Sequence, residues 1–331
     1  MANQEKLRVG VVGVGHLGQH HARVYTEIES CELIGVADVD AARGQEIAER
    51  HHVRYFQDYC ELCEQVDALS IAVPTAHHHA VGMECLRRGI HVLIEKPISR
   101  TLEEADDLIA LADANLRVLQ IGHTERFNGA VVKLAELVDR PAFIESNRIS
   151  PFPERSTDID VVLDLMIHDI DVILSLVKSP VIKLDAVGVP VVTSKIDIAN
   201  TRLEFACGCI ANVTASRVSL KRERKMRIFQ PDRYLSLDFQ AQSLNVVDIQ
   251  HAERRHDFPQ SRPLIIPYQV EIHKQEPLKA ELLAFVECAH TGGMPVVSGR
   301  DGRNALSAAF QILQAMRLAP YSAEKGYEEI S

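Results

Sequence analysis

Gly13-Val14-Gly15-His16-Leu17-Gly18 has the spacing G-x-G-x-x-G, and Asp38 lies 20 residues beyond its last glycine. The pattern follows an apolar run and opens a helix-like segment. In that setting the first glycine permits a tight turn. The second lets the backbone approach a pyrophosphate, and the third lets helix and strand pack closely. The helix start offers amide donors and the positive end of its dipole. Asp38 is placed to accept hydrogen bonds from ribose hydroxyls, and a carboxylate there repels a 2'-phosphate. No arginine follows it directly, since Val39-Asp40 come next. The pattern points to NAD, with NADP less favoured. Its contacts would be Gly13, Gly15, His16, Leu17, Gly18 and Asp38. The alternative is glycines that serve only a turn.

Two further groups could do acid–base chemistry. Glu95-Lys96-Pro97 ends a buried strand-like run, where open α/β sheets bind ligands. The proline restricts Lys96 to extended geometry. A Glu–Lys pair on a loop rim is the plain alternative. Farther along, Asp164, His168 and Asp171 fall at i, i+4 and i+7 of an otherwise apolar helix-like stretch. At about 100° per residue they share one face. Such a stripe is costly to bury without partners, so it would line a wet cleft. A satisfied structural Asp–His pair, or one solvated helix edge, reads equally well.

The elements that would hold these groups fall into two rhythms. Residues 1–122 alternate apolar strand-like runs with helix-like segments at 17–28, 41–50, 76–88 and 102–114. Strands of that kind, each followed by a helix, predict a doubly wound parallel sheet covered on both faces. Residues 123–331 carry helical stretches at 128–138 and 159–177, then β-like runs at 182–192, 198–205, 210–217, 225–229, 234–239 and 244–249. Two more helices are expected at 278–290 and 303–318. Short connections between the β-like runs predict a large, mostly antiparallel open sheet. The fold class is α/β: an N-terminal Rossmann domain (1–122) and a C-terminal α+β domain (123–331).

The bulk composition removes several function classes. A net charge of −10 does not suit wrapping nucleic acid or lying on an anionic membrane. The start lacks the charged and apolar regions of a signal peptide, and no run reaches spanning length. We therefore expect a cytoplasmic protein with a small-molecule substrate. Seven scattered cysteines, including Cys60-x-x-Cys63, read as free thiols. His77-His78-His79 points three ways on a helix, so no metal is expected.

The glycine loop, Val73-Pro74-Thr75 with His78 three residues on, Glu95-Lys96-Pro97 and Asp164-x-x-x-His168 together resemble the Gfo/Idh/MocA oxidoreductase family over nearly the whole chain. Thr75 departs from it, since the family often carries asparagine there. The resemblance implies hydride transfer between a nicotinamide and a sugar or polyol hydroxyl. It makes Lys96, Asp164 and His168 the catalytic residues. It implies that Lys96 meets both the nicotinamide ribose and the substrate, and it adds Pro74, Thr75, His78 and Glu95 to the cofactor site. Either Lys96 or His168 could be the base, with the other orienting the hydroxyl. Asp164 would position the substrate or fix the histidine. In the segment between the domains, His123 would meet the nicotinamide region and Arg126 and Asn128 the substrate. A capped helix start with a surface arginine fits that segment equally well. Arg155 could bind phosphate or carboxylate.

The stretch from Arg155 to Asp171, with Arg217 and residues 225–232, is similar to a branch of that family. That branch oxidises the 3-hydroxyl of UDP-N-acetylglucosamine for lipid A sugar modification. The basic run Lys221-Arg222-Glu223-Arg224-Lys225 would suit such a substrate, though such runs are usually solvated hairpins. The alternatives are an inositol or free-sugar dehydrogenase and a non-catalytic NAD-dependent regulator. A homodimer or homotetramer through the C-terminal sheet is expected from the family.

Overall fold

The computed structural model describes residues 5–152, 159–251 and 263–318. The chain divides into two compact units: residues 1–127 with 275–306, and residues 128–274 with 307–331.

The first unit is built on six parallel strands in the order β3-β2-β1-β4-β5-β6. They are β1 (Leu7–Val12), β2 (Cys31–Ala37), β3 (Arg54–Phe56), β4 (Ala68–Ile71), β5 (His91–Glu95) and β6 (Leu119–Gly122). Every residue of β4, β5 and β6 is buried, as a sheet covered on both faces requires. Its helices include α1 (Gly18–Thr26), α2 (Ala41–His51), α3 (Tyr59–Cys63), α4 (His78–Arg87) and α5 (Leu102–Ala114). Thr101 caps α5 by accepting from the Glu104 amide, and Glu103 and Glu104 fill its first turn. The strand order reverses between β1 and β4, which is the switch point where such sheets bind ligands.

The second unit begins with α6 (Gly129–Leu137) and β7 (Phe143–Ile149). A π-helical turn, Val162–Met166, then runs into α7 (Ile167–Val177). Seven strands follow: β8 (Val181–Val189), β9 (Ile198–Phe205), β10 (Ile210–Ser216), β11 (Glu223–Gln230), β12 (Arg233–Asp238), β13 (Ser243–Gln250) and β14 (Leu264–Gln269). The chain then passes through α8 (Pro277–Thr291) of the first unit and α9 (Gly299–Ala315), which begins in the first unit and ends in the second, before β15 (Met316–Leu318). The nine strands form one sheet, ordered β14-β13-β12-β11-β7-β10-β9-β8-β15. Only β7–β10 and β8–β15 pair in parallel. Burial alternates along β7 and β10, so one face packs and the other stays open. Ile170 and Ile173 of α7 pack with Ile144, Ala211 and Val213 of that inner face. Each fully buried aliphatic side chain contributes about 1.5–3 kcal/mol.

The structure corrects several expectations. The expected boundary after residue 122 moves to Phe127, and residues 275–306 return to the first unit. The reason is packing: Leu282, Phe285 and Val286 of α8 share a core with Val24 and Tyr25 of α1. Amphipathic periodicity shows that a helix has an apolar face, not which core receives it. The last helix starts earlier than residue 303, because Ser298 and Asp301 cap each other reciprocally. It also ends earlier, because residues 316–318 pair with β8 instead. The strand β14 was not expected, since Pro267 interrupts its apolar run. Proline is tolerated there because β14 ends the sheet order. No helix among the described residues is long and apolar enough to cross a membrane.

Candidate active site

The glycine loop follows β1 directly and opens α1. Gly13 has φ +83°, and a Cβ there would lie 2.9 Å from the backbone carbonyl of Ala72. A Cβ on Gly18 would lie 1.8 Å from the Gly13 carbonyl oxygen. Gly13 and Gly18 are therefore required by the turn and by packing. Gly15 differs: a Cβ there would meet nothing within 4 Å, so the space above it is open to a ligand. Leu17 stands at the N-cap of α1, and its side chain has no oxygen to cap the helix amides. That pairing of open space with helix amides fits a dinucleotide pyrophosphate. A cavity of about 580 Å³ adjoins it, lined by Gly13, Gly15, Asp38, Arg43, Val73 and Pro74 among others.

Asp38 lies just beyond β2 and is nearly buried. Its Oδ2 accepts from the Val14 amide at 2.8 Å, and its Oδ1 from the Asp40 amide at 2.9 Å. Arg43 adds Nη2 to Oδ1 at 2.7 Å and Nε to Oδ2 at 3.2 Å. Burial pushes the Asp38 carboxyl up, but Arg43 and the two amides outweigh it and hold it below the usual carboxylate range. Looking only at the residues directly after Asp38 misses this arginine. The signal was Asp40 as an N-cap: it starts α2, and the third helical residue, Arg43, then turns back over Asp38.

The Lys96 loop is held from beneath. His78 sits between two carbonyls, with Nδ1 2.8 Å from Pro97 O and Nε2 2.9 Å from Val73 O. It thereby ties the Val73-Pro74 turn to the Lys96-Pro97 turn. Burial pushes its imidazole below the ordinary value. Thr75 starts a short 3-10 turn, Thr75–His77. Glu95 was expected to meet the cofactor, but its carboxylate turns inward. Its Oε1 lies 3.0 Å from His21 Nε2, on the buried side of α1. His21 was not foreseen, because nothing local marks a buried histidine as the partner of a residue 74 positions away.

His123 follows β6 and is almost fully buried. Thr124 donates to Glu281 at 2.9 Å, and Arg126 to Val296 O at 3.3 Å. Asn128, in the second unit, is the N-cap of α6: its Oδ1 accepts from the Ala130 amide at 3.1 Å. Its Nδ2 donates to Phe239 O at 2.9 Å. The capped helix start therefore describes Asn128, and each end of its amide makes one structural hydrogen bond.

Asp164 lies within the π-turn and His168 in the first turn of α7, both half-buried. A π-turn closes over five residues, so the simple i, i+4, i+7 face does not hold, and Asp171 is buried. Single-turn π-bulges occur often at functional sites. Directly after His168, Asp169 is buried against Arg148 of β7 at 2.5 Å and Ser146 at 2.7 Å. That pair pins the histidine-bearing turn to the sheet. Arg217 is a second buried anchor, wholly enclosed with Asp197 at 2.7 Å. It also donates to Ile159 O at 2.7 Å and Thr193 Oγ1 at 3.0 Å. Arg155 lies outside the described residues. Within the basic run, Lys221 pairs with Glu223 at 2.8 Å. No cluster of metal ligands occurs among the described residues.

Residues 7–123 match the family model described as "Oxidoreductase family, NAD-binding Rossmann fold". The UDP-N-acetylglucosamine 3-dehydrogenase of Acidithiobacillus ferrooxidans is 39% identical over 311 residues, covering 94% of this chain and 97% of the relative. The chain belongs to the Gfo/Idh/MocA oxidoreductase family. As a member of that family it is a dehydrogenase with an NAD-binding Rossmann domain. A solved structure of the Acidithiobacillus enzyme superposes with TM-score 0.87, covering 94% of this chain and 98% of that one. Myo-inositol 2-dehydrogenase of Thermotoga maritima is 26% identical over 98% of this chain and 97% of the relative. An Agrobacterium radiobacter oxidoreductase, solved with NAD+, L-tartaric acid and magnesium, shares the fold at TM-score 0.82 and 16% identity, over 94% of this chain and 96% of that one.

Proposed function

We propose that this protein oxidises the 3-hydroxyl of UDP-N-acetylglucosamine, or of a closely related UDP-sugar, with NAD+ as acceptor. One observation carries the reading: the 39% identity to a UDP-N-acetylglucosamine 3-dehydrogenase extends over 94% of the chain. It therefore spans the unit that holds Asp164 and His168 as well as the Rossmann unit.

A bound NAD+ would supply the acceptor for the hydride that leaves the sugar carbon. The chain's own groups manage the proton and the geometry. Gly13, Gly15, His16, Leu17 and Gly18 hold the pyrophosphate, and Asp38 binds the adenosine ribose. Pro74, Thr75, His78 and His123 shape the rest of the cofactor site. Lys96 and His168 share the hydroxyl: one takes its proton and the other orients it. Asp164 positions the sugar or fixes the histidine. Arg126 and Arg155 bind the substrate. Asp38 favours NAD+ over NADP+. The open face of the nine-stranded sheet joins copies of the chain, supported by a row of apolar groups that includes Phe143, Phe229 and Tyr234.

Purified protein given NAD+ and UDP-N-acetylglucosamine should form NADH and a 3-keto sugar nucleotide. No NADH with that substrate, but turnover of myo-inositol, would replace this reading with the second one. That second reading rests on the inositol dehydrogenase similarity.

A further inference from the structure

Glu95 closes β5 with its side chain turned into the protein, only 6% exposed. Its Oε1 meets His21 Nε2 at 3.0 Å, and its Oε2 lies 3.3 Å from the Lys96 amide. The absence of a side chain at Gly122 makes room, since a Cβ there would lie 2.9 Å from the Glu95 carboxyl. A buried carboxylate is costly unless hydrogen-bonded and paired. Here burial pushes the carboxyl up, while His21 and the Lys96 charge pull it below its usual range.

The charge of the pair follows from the other histidine nitrogen. His21 is 1% exposed, and its Nδ1 is buried with no hydrogen-bond partner among the described residues. A proton there would be a buried donor with no acceptor, which is unfavourable. The tautomer that fits carries its proton on Nε2, donates to Glu95 and is neutral. The His21–Glu95 couple therefore bears a full negative charge. It sits under the carboxyl end of β5, next to β4 and one strand from the switch point.

We propose that Glu95, held by His21, is a fixed buried counter-charge beside Lys96. It steadies that lysine and favours the positively charged oxidised nicotinamide over the neutral reduced ring. Glu95 acts here as a positioning residue, because its carboxylate is spent on His21 and the backbone. The inference rests on the dehydrogenase reading above. At an effective dielectric near 20, a unit charge acting over about 12 Å is worth about tenfold in affinity.

The test is equilibrium titration of NAD+ and NADH against the native protein and Glu95→Gln. Glutamine keeps the size and can still accept from His21, but it removes the charge. The NAD+ Kd should rise about tenfold while the NADH Kd changes less than about twofold. Equal weakening of both forms, or no change in either, overturns the inference. If the single variant does not fold, His21→Leu/Glu95→Met replaces the couple with apolar groups of similar size, a change buried pairs often tolerate. The same selective loss of NAD+ is expected there, and an unselective one overturns the inference. Native protein that binds neither form would sink the dehydrogenase reading itself.

Discussion

Arg43 grips Asp38 by both carboxylate oxygens, at 2.7 Å through Nη2 and 3.2 Å through Nε. The Asp38 side chain is nearly buried, whereas that of Arg43 is 43% exposed on the rim of the cavity beside the glycine loop. On the proposed reading, ribose hydroxyls would compete with that guanidinium for the carboxylate. The same guanidinium lines the cavity beside Asp38 and is a cation that a 2'-phosphate could use. On that reading, in which Asp38 meets the adenosine ribose, the pair sets the discrimination between the two cofactors. Arg43→Ala should sharpen the preference for NAD+ over NADP+ about tenfold, and Asp38→Ala should reverse it. Binding titrations with both cofactors decide this. Unchanged discrimination in Arg43→Ala would show that the arginine is only a surface partner.

Gly15 offers a cleaner separation of fold from binding. A Cβ at Gly15 meets nothing, so Gly15→Val should leave the melting temperature near that of the native protein. The side chain would instead fill the space left for the pyrophosphate. NAD+ affinity should fall at least about tenfold by calorimetry, in line with losing a close backbone–phosphate approach. A variant that melts early but binds normally would contradict the assignment.

Lys96→Met and His168→Gln each remove one candidate proton acceptor. Loss of a general base lowers turnover about 10²- to 10⁴-fold. Both variants should show a fall in kcat, and the one that also loses the alkaline-rising limb of the rate profile identifies the base. His168→Gln should keep NAD+ affinity within a few-fold. Full turnover in either variant would remove that residue from the chemistry.

The Arg217–Asp197 anchor predicts a stability effect with a defined sign. Burial pushes the Asp197 carboxyl up, but the Thr193 and Val192 amides and Arg217 hold it far below the usual range. A depressed folded-state pKa stabilises at pH values above the unfolded carboxylate's, near 3.9, and that stabilisation is lost as pH falls through the folded value. Asp197→Asn should therefore be destabilised at neutral pH and show a flatter acid limb. Arg217→Met, which strands the buried carboxylate, should cost about 3–5 kcal/mol in urea melts.

Cross-strand neighbours Phe143, Phe229 and Tyr234 lie on the sheet face opposite the α7 core. If copies join through that face, Phe229→Glu should shift light-scattering mass toward the monomer. An unaltered mass would place the contact elsewhere.

Much of the first unit is legible in the sequence. Its strand and helix alternation, the glycine spacing and Asp38 are encoded within short windows, where period and turn chemistry are local properties. Lys96 stands out for the same reason, as a charged residue directly after a buried strand. The helix around Asp164 and His168 is recognisable too, but periodicity makes it too regular. A π-turn changes which residues share a face without changing their order, so period alone does not reveal it. For Asn128 the sequence allows two roles, and the structure shows the capping one, with the Phe239 carbonyl opposite its amide nitrogen.

By itself the sequence determined the two kinds of sheet, the glycine loop between the first strand and helix, and the residue types available for acid–base work. Those depend on neighbours along the chain. The tertiary structure decided which charges are paired. It brought Arg43 back onto Asp38 and gave Glu95 to His21. It enclosed Arg217 with Asp197 and returned α8 to the first core. Each of these depends on burial, and burial sets the energetic cost of a charge. It is a property of the packed molecule that no stretch of sequence carries alone.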